Sequence, residues 1–258
     1  MLIDTHAHLT DEKYKDFLEE LIKDLPTHNV GKVFTVAYSK ESMIESVALA
    51  RKYPNIYAII GIHPDEIADY TEDTIALMKE YASDPKVIAI GEIGLDYHYE
   101  NHDKTEQKRV FIAQMELAHS LKLPIAIHNR DSIGDMLEIL KENKHLLTNG
   151  GVLHCYSESP EIYKEIKKLG LKIAFGGTLT FKNSVSAPKT CEIADMEDII
   201  IETDCPYLAP HPLRGTLNEP KNTNLVAEKI ALIKGISYDK VVEITTQNAL
   251  NLFPKARN

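Results

Sequence analysis

A chain of 258 residues that is 43% apolar and 26% charged, with a formal net charge of −10, has the make-up of a globular protein with a large core. The acidic balance argues against broad electrostatic capture of nucleic acid, although bound divalent ions would reverse the local sign at a cleft. No apolar run is long enough to span a bilayer, so no membrane partner is expected.

The first residues hold no basic stretch followed by an apolar one, so no signal peptide is expected. The three cysteines, Cys155, Cys191 and Cys205, are too few and too widely spaced for a disulfide framework or a zinc knuckle. A cytoplasmic setting follows, with each cysteine packed as a small hydrophobe.

Short runs rich in Ile and Val recur at residues 1–5, 32–37, 57–62, 87–91, 125–128, 151–154, 171–175 and 199–202. Stretches of helical period lie between and after them, at 13–28, 105–121, 225–234 and 239–252. Asp103 followed by Glu106 reads as a carboxylate capping box opening the second of these. Eight strands alternating with helices call for parallel pairing. The chain length and the count favour a closed (β/α)8 TIM barrel, an α/β fold of one domain spanning 1–258. The longest irregular piece, 206–223, follows the eighth strand, where a barrel places substrate loops.

The strand ends carry the chemistry. His6 and His8 are two apart and share one face of a strand, so both imidazoles aim at one point. Further strands run into His63, Glu92, His128, His154 and the pair Glu202 and Asp204. Taken singly, each histidine is as well explained by packing. Glu92 between glycines is harder to dismiss, because a buried carboxylate needs a partner or a metal. His6, His8, Glu92, His128, His154 and Asp204 together suffice for two divalent metal ions if a carboxylate bridges them. Imidazole and carboxylate donors suit zinc, manganese or iron, and magnesium less naturally.

Around that set, Glu202 shares a face with Asp204 if the strand continues, which would place it behind the ligands. His63 stands at the height of a substrate contact or of a group orienting a ligand. Arg130 and Arg214 offer anion clamps, with a loop salt bridge as the alternative for each. Tyr97, Tyr99 and Phe181 are candidates for base stacking, with core packing the first reading of each. His28, His98, His102, His119, His145 and His211 read mostly as solvent-facing. Nothing in the pattern specifies an oligomeric state.

The motifs Asp4-Thr5-His6-Ala7-His8, Gly61-Ile62-His63-Pro64, Gly91-Glu92-Ile93-Gly94-Leu95-Asp96-Tyr97, His128-Asn129-Arg130, His154-Cys155-Tyr156-Ser157 and Glu202-Thr203-Asp204-Cys205-Pro206 stand in order along the whole chain. In this the chain resembles the TatD family of metal-dependent deoxyribonucleases, within the amidohydrolase-like hydrolases. The resemblance implies a barrel with a two-metal site. His6, His8, Glu92 and Asp204 would hold one ion and Glu92, His128 and His154 the other, with Glu92 bridging. It implies DNA as substrate, cut from the 3′ end of single strands. Asp65, Leu217 and Asn222 depart from the family pattern in the substrate loops, which bears on substrate preference and not on metal.

Water activated by the ions would attack the phosphodiester and pass its proton to Asp204, making Asp204 and Glu92 the catalytic pair. The same donors would serve a metal-dependent ester or amide hydrolase, such as a D-aminoacyl-tRNA deacylase. A non-catalytic scaffold that kept the fold is the reading from another class.

Overall fold

The computed structural model describes residues 1–99 and 103–257, so His102 lies outside the described residues. Eight parallel strands follow one another around a single-domain barrel in chain order. They are β1 (Leu2–Ala7), β2 (Val30–Val36), β3 (Ile56–Ile60), β4 (Val87–Asp96), β5 (Ile125–Arg130), β6 (Gly151–Leu153), β7 (Lys172–Phe175) and β8 (Ile199–Ile201). The helices are α1 (Leu18–Asp24), α2 (Lys40–Lys52), α3 (Glu72–Tyr81), α4 (Lys104–Leu121), α5 (Ile133–Glu142), α6 (Pro160–Lys168), α7 (Ser186–Ile193), α8 (Thr223–Lys234) and α9 (Tyr238–Leu252).

Local chemistry explains most of the boundaries. Ser39, Thr71, Ser159 and Ser237 cap α2, α3, α6 and α9 with side-chain oxygens that accept from the first turn. Asp103 does the same for α4, accepting from Thr105 and Glu106. Gly235 ends α8 in the left-handed region, where a glycine carries no penalty. The single helix expected over 13–28 is instead three pieces: short 3-10 turns at Glu12–Tyr14 and Leu25–His28 flank α1. Phe17 breaks the helix with a non-helical backbone (φ −139°, ψ 12°). Pro26 has no N–H to continue it at the other end.

The barrel has two apolar layers. Ile3, Phe34, Ile59, Ile88, Ala126, Val152 and Ile200 point inward and fill its centre, while a larger set packs between strands and helices. Full burial of each Val, Ile or Phe side chain here stabilises by about 1.5–3 kcal/mol. The chain end closes the bottom. Phe253 packs edge-on against Phe34 at 5.2 Å, and Lys255 Nζ donates to the carbonyls of Ala82, Asp84 and Val87.

The top carries the buried imidazoles and carboxylates. There the ring closes where β1 meets the chain after β8. Asp204 N–H donates to His6 O (2.9 Å) and His8 N–H donates to Cys205 O (2.7 Å). Among the described residues, no helix is long and apolar enough to cross a membrane.

Candidate metal centre

Each donor reaches the barrel mouth from its own element. His6 lies in β1 and His8 just beyond it. Glu92 sits within β4, which runs on to Asp96 rather than stopping at the expected Gly91. Glu92 and Asp96 are four apart on one strand and therefore share a face. The register of β4 on β5 sets Gly94 against His128. A side chain at Gly94 (φ +152°) would put its Cβ 2.0 Å from His128 O, so only glycine lets the two strands close here. β6 and β8 are shorter than expected, so His154 and Asp204 stand on the loops that follow. Asp204 adopts a left-handed backbone (φ 57°), unusual for a residue with a Cβ. Strand parity therefore does not relate Glu202 to Asp204.

The donors fall into two groups that share Glu92. In the first, His6 Nε2 is 3.3 Å from Glu92 Oε2, and His8 Nε2 is 3.3 Å from Asp204 Oδ1. The crossed distances are 3.8 and 3.9 Å. In the second, Glu92 Oε1 is 2.7 Å from both His128 Nδ1 and His154 Nε2, which are 3.1 Å from each other.

The spacing of the first group fits metal, while the 2.7 Å contacts of the second are hydrogen-bond distances. Donors about 2.0–2.1 Å from a shared tetrahedral ion stand about 3.3 Å apart. His6 Nε2 is buried without a hydrogen-bond partner, an orphan that coordination would satisfy. Overlapping clusters able to hold an ion include His6, His8 and Glu92, and His63, Glu92 and His128.

The outer nitrogens are fixed from behind. His8 Nδ1 donates to Val36 O (3.1 Å), leaving Nε2 free. His128 Nε2 donates to Asp96 Oδ2 (3.0 Å), leaving Nδ1 free. Glu202 Oε1 accepts Cys155 N–H and stands 3.7 Å from His154 Nδ1. Carboxylates in this position hold a ligand imidazole in one tautomer and orientation.

Electrostatics agree with that arrangement. Burial raises the Glu92 carboxyl, but the charges of His154 and His6 outweigh it and hold it well below the usual carboxylate range. Burial also works against Asp204, and the hydrogen bond from His8 overcomes it, so this carboxyl too is lowered. Burial lowers His154, yet the Glu92 charge more than compensates and leaves it well above an ordinary histidine. His8 and His128 are raised in the same way, against burial, by Asp204 and by Asp96 with Glu92. His6 is lowered by burial and by repulsion from His154. His63 is driven down to about 3, chiefly by burial. The upward shifts of His8, His128 and His154 favour protons that balance the carboxylates, and a divalent ion would take their place.

The donors open into a cavity of about 480 Å³. His63 lines it, with Nε2 3.8 Å from Glu92 Oε1 and Nδ1 accepting from Asp65 N–H. Arg130 lines it too, its Nη1 3.9 Å from Asp96 Oδ2. Arg214 does not: it is exposed and lies over Phe181, within reach of Asn183. Tyr97 is partly buried and donates to Asp135, whereas Tyr99 stands exposed on the cavity rim rather than in the core.

Cys205 and Cys191 are buried, and Cys155 is half-buried with a left-handed backbone (φ 46°). His28, His98, His119, His145 and His211 are exposed. Sequence reasoning missed Asp96, Tyr38 and Tyr207. The even spacing from Glu92 could have found the first, and nothing local marks the other two.

A parallel eight-stranded barrel whose polar mouth gathers imidazoles and carboxylates around orphaned nitrogens is the architecture of a metal-dependent hydrolase. The chain belongs to the TatD-related DNase family, whose model matches residues 3–254. The uncharacterized metal-dependent hydrolase YabD of Bacillus subtilis is 42% identical over 253 residues, covering 98% of this chain and 99% of that protein. The uncharacterized metal-dependent hydrolase YcfH of Escherichia coli (strain K12) is 31% identical over 255 residues, covering 98% of this chain and 95% of that protein. The crystal structure of YJJV, a TatD homolog from Escherichia coli, superposes with a TM-score of 0.93 at 25% identity and covers 98% of each chain.

Proposed function

We propose that this hydrolase cleaves DNA phosphodiesters, working from the 3′ end of single strands with two divalent ions. The observation that carries the reading is Glu92, whose two carboxylate oxygens face different donor groups: Oε2 meets His6 and Oε1 meets His128 and His154. A carboxylate so placed suits two-ion phosphoryl chemistry, and the family name supports a nuclease.

His6, His8, Glu92 and Asp204 would hold one ion, and Glu92, His128 and His154 the other. When bound, such ions acidify a water toward neutrality and neutralise charge on the phosphate. The chain supplies the rest. Asp204 uses Oδ1 toward His8, which leaves Oδ2 to take the proton of the attacking water. Arg130 reaches the cavity from the His128 side and can donate to a non-bridging phosphate oxygen. His63, neutral because burial opposes its charge, can donate to the substrate from Nε2, since Nδ1 accepts from Asp65. A non-catalytic scaffold would have little use for these buried charges, which destabilise the barrel unless paired or coordinated.

The test is release of nucleotides from 3′-end-labelled single-stranded DNA by metal-loaded protein, run beside an aminoacyl-tRNA and a simple ester. Release abolished by chelator and by Asp204→Ala is the expected result. Ester cleavage without nucleotide release under any divalent ion would replace this reading with that of a deacylase-type hydrolase.

A further inference from the structure

Tyrosine is an amphipathic residue that usually buries its ring. The chain has 12 tyrosines. Among the described residues, those more than a third exposed are Tyr38, Tyr99 and Tyr207, at 39, 51 and 47%. All three line the mouth of the metal cavity. They come from three separate loops, after β2, β4 and β8, so no single local packing need explains them.

Their placement is two-sided. Tyr38 and Tyr207 both meet the His8 ring edge-on, at 6.0 and 6.2 Å, and so border the His6, His8 and Asp204 group. Tyr99 stands with the Arg130 guanidinium 5.7 Å from its ring centre, and Arg130 in turn approaches Asp96 behind His128. The Tyr207 ring is held in place: its hydroxyl donates to Asp11 (2.8 Å), and Lys13 Nζ covers one face at 4.3 Å. Aromatic faces therefore flank the donor set on both of its sides.

The charge around the mouth narrows what they can be for. Arg130 is the one lysine or arginine among the described residues lining the cavity, and Asp65 and Glu66 share the rim. A ligand that carries phosphate gains little here from a basic groove. It would have to gain affinity from the ions at the centre and from the rings around them. A single-stranded polynucleotide matches that pattern, with a phosphate at the centre and a flat π-system on each side, whereas duplex bases are already stacked on one another.

We propose that Tyr38 with Tyr207, and Tyr99 with Arg130, are base-stacking subsites for the unpaired nucleotides on either side of the scissile phosphate. This rests on the phosphodiesterase reading above, and its test is chosen to separate the two.

Metal-loaded protein is given single-stranded oligothymidylate, and the same oligomer with abasic residues flanking the scissile phosphate. The ratio of kcat/KM between the two is the readout. Tyr207→Ala, Tyr38→Ala and Tyr99→Ala each lower that ratio by about fivefold to a hundredfold, the range of one base stacked on one ring. The matching Tyr→Phe variants keep the ring and restore the ratio. A blunt duplex of the same length is cut about tenfold more slowly or worse. Alanine variants that lose turnover equally on both oligomers would overturn the proposal while leaving the nuclease reading intact.

Should wild-type protein cut neither oligomer, tyrosine emission decides, because the chain has no tryptophan to mask it. Quenching by oligothymidylate that disappears in the alanine variants sustains the subsites and removes only the nuclease reading. No quenching by oligothymidylate overturns the subsites.

Discussion

The two donor groups at the barrel mouth are held by different means. His6, His8 and Asp204 are tied to one another through the backbone: Asp204 N–H meets His6 O, and His8 N–H meets Cys205 O, across the seam that closes the barrel. The second half has one main-chain tie of this kind, His154 N–H to Ile127 O (3.0 Å) beside His128, and adds side-chain support. His128 and His154 are each backed by a carboxylate side chain, Asp96 at 3.0 Å and Glu202 at 3.7 Å. The first group stands 3.3–3.9 Å apart, while the second is drawn in to 2.7–3.1 Å around Glu92 Oε1. The first half thus depends on the seam that closes the barrel, whereas the second adds a carboxylate behind each imidazole, so different substitutions should break them.

The largest effect is expected at Glu92, which belongs to both. Glu92→Gln removes the anion that His6, His8, His63, His128 and His154 all face. Turnover should fall on the order of a thousandfold or more, and elemental analysis should find both ions weakened. In the metal-free protein the change leaves the buried imidazoles without their counter-charge, at about 3–5 kcal/mol in denaturant titration. Retention of both ions with ordinary turnover would refute the shared role.

Next come substitutions confined to one half. Asp204→Ala should remove one ion per chain and reduce turnover to background, while His128 and His154 keep theirs. His128→Ala should give the reverse pattern of metal loss. If either variant empties both positions, the halves are not separable and the comparison fails.

Smaller effects belong to the carboxylates behind the second half. Asp96→Asn and Glu202→Gln should each weaken metal affinity or activity by about 10- to 100-fold, the usual worth of a group that orients a ligand imidazole. Competition with a chelator should show the loss at the His128 and His154 ion alone. An equal loss at both ions would mean these carboxylates set general charge and not orientation.

The legibility of the molecule in its sequence divides along similar lines. The barrel, and the gathering of six candidate donors at its mouth, are readable because apolar runs ending at His, Glu or Asp are a one-dimensional pattern, and a parallel barrel puts all such ends on one face. The histidines outside that pattern read as solvent-facing, and those described are exposed. Features that depend on how loops turn were not readable. Glu202 reaches His154 because the chain leaves β8 at Ile201 and bends left-handed at Asp204, not because a strand continues. Arg214 looked like an anion clamp from its loop, yet that loop carries it onto Phe181 and away from the cavity. Tyr38 and Tyr207 are remote in sequence, yet both meet the His8 ring.

The smallest effect on turnover, and the sharpest for the comparison, is expected at Asp4. It touches no donor atom. Its Oδ1 accepts the N–H groups of His6 (3.3 Å) and Thr203 (3.0 Å), and its Oδ2 accepts the Thr203 hydroxyl (2.5 Å), all within the buried seam. One carboxylate thus grips the residue that bears the first imidazole and the neighbour of Asp204. Asp4→Asn keeps an acceptor for the two N–H groups but turns an amide toward a hydroxyl that already accepts from Cys205 N–H. The expected loss is about 1–3 kcal/mol in denaturant titration, with weaker binding at the His6, His8 and Asp204 ion and none of that weakening at the other. Because Asp4 acts on the main chain, its variant should mimic a loosened seam, and Asp96→Asn should not. If Asp4→Asn instead weakens both ions alike, the seam does not hold one half independently, and the barrel mouth behaves as a single rigid unit.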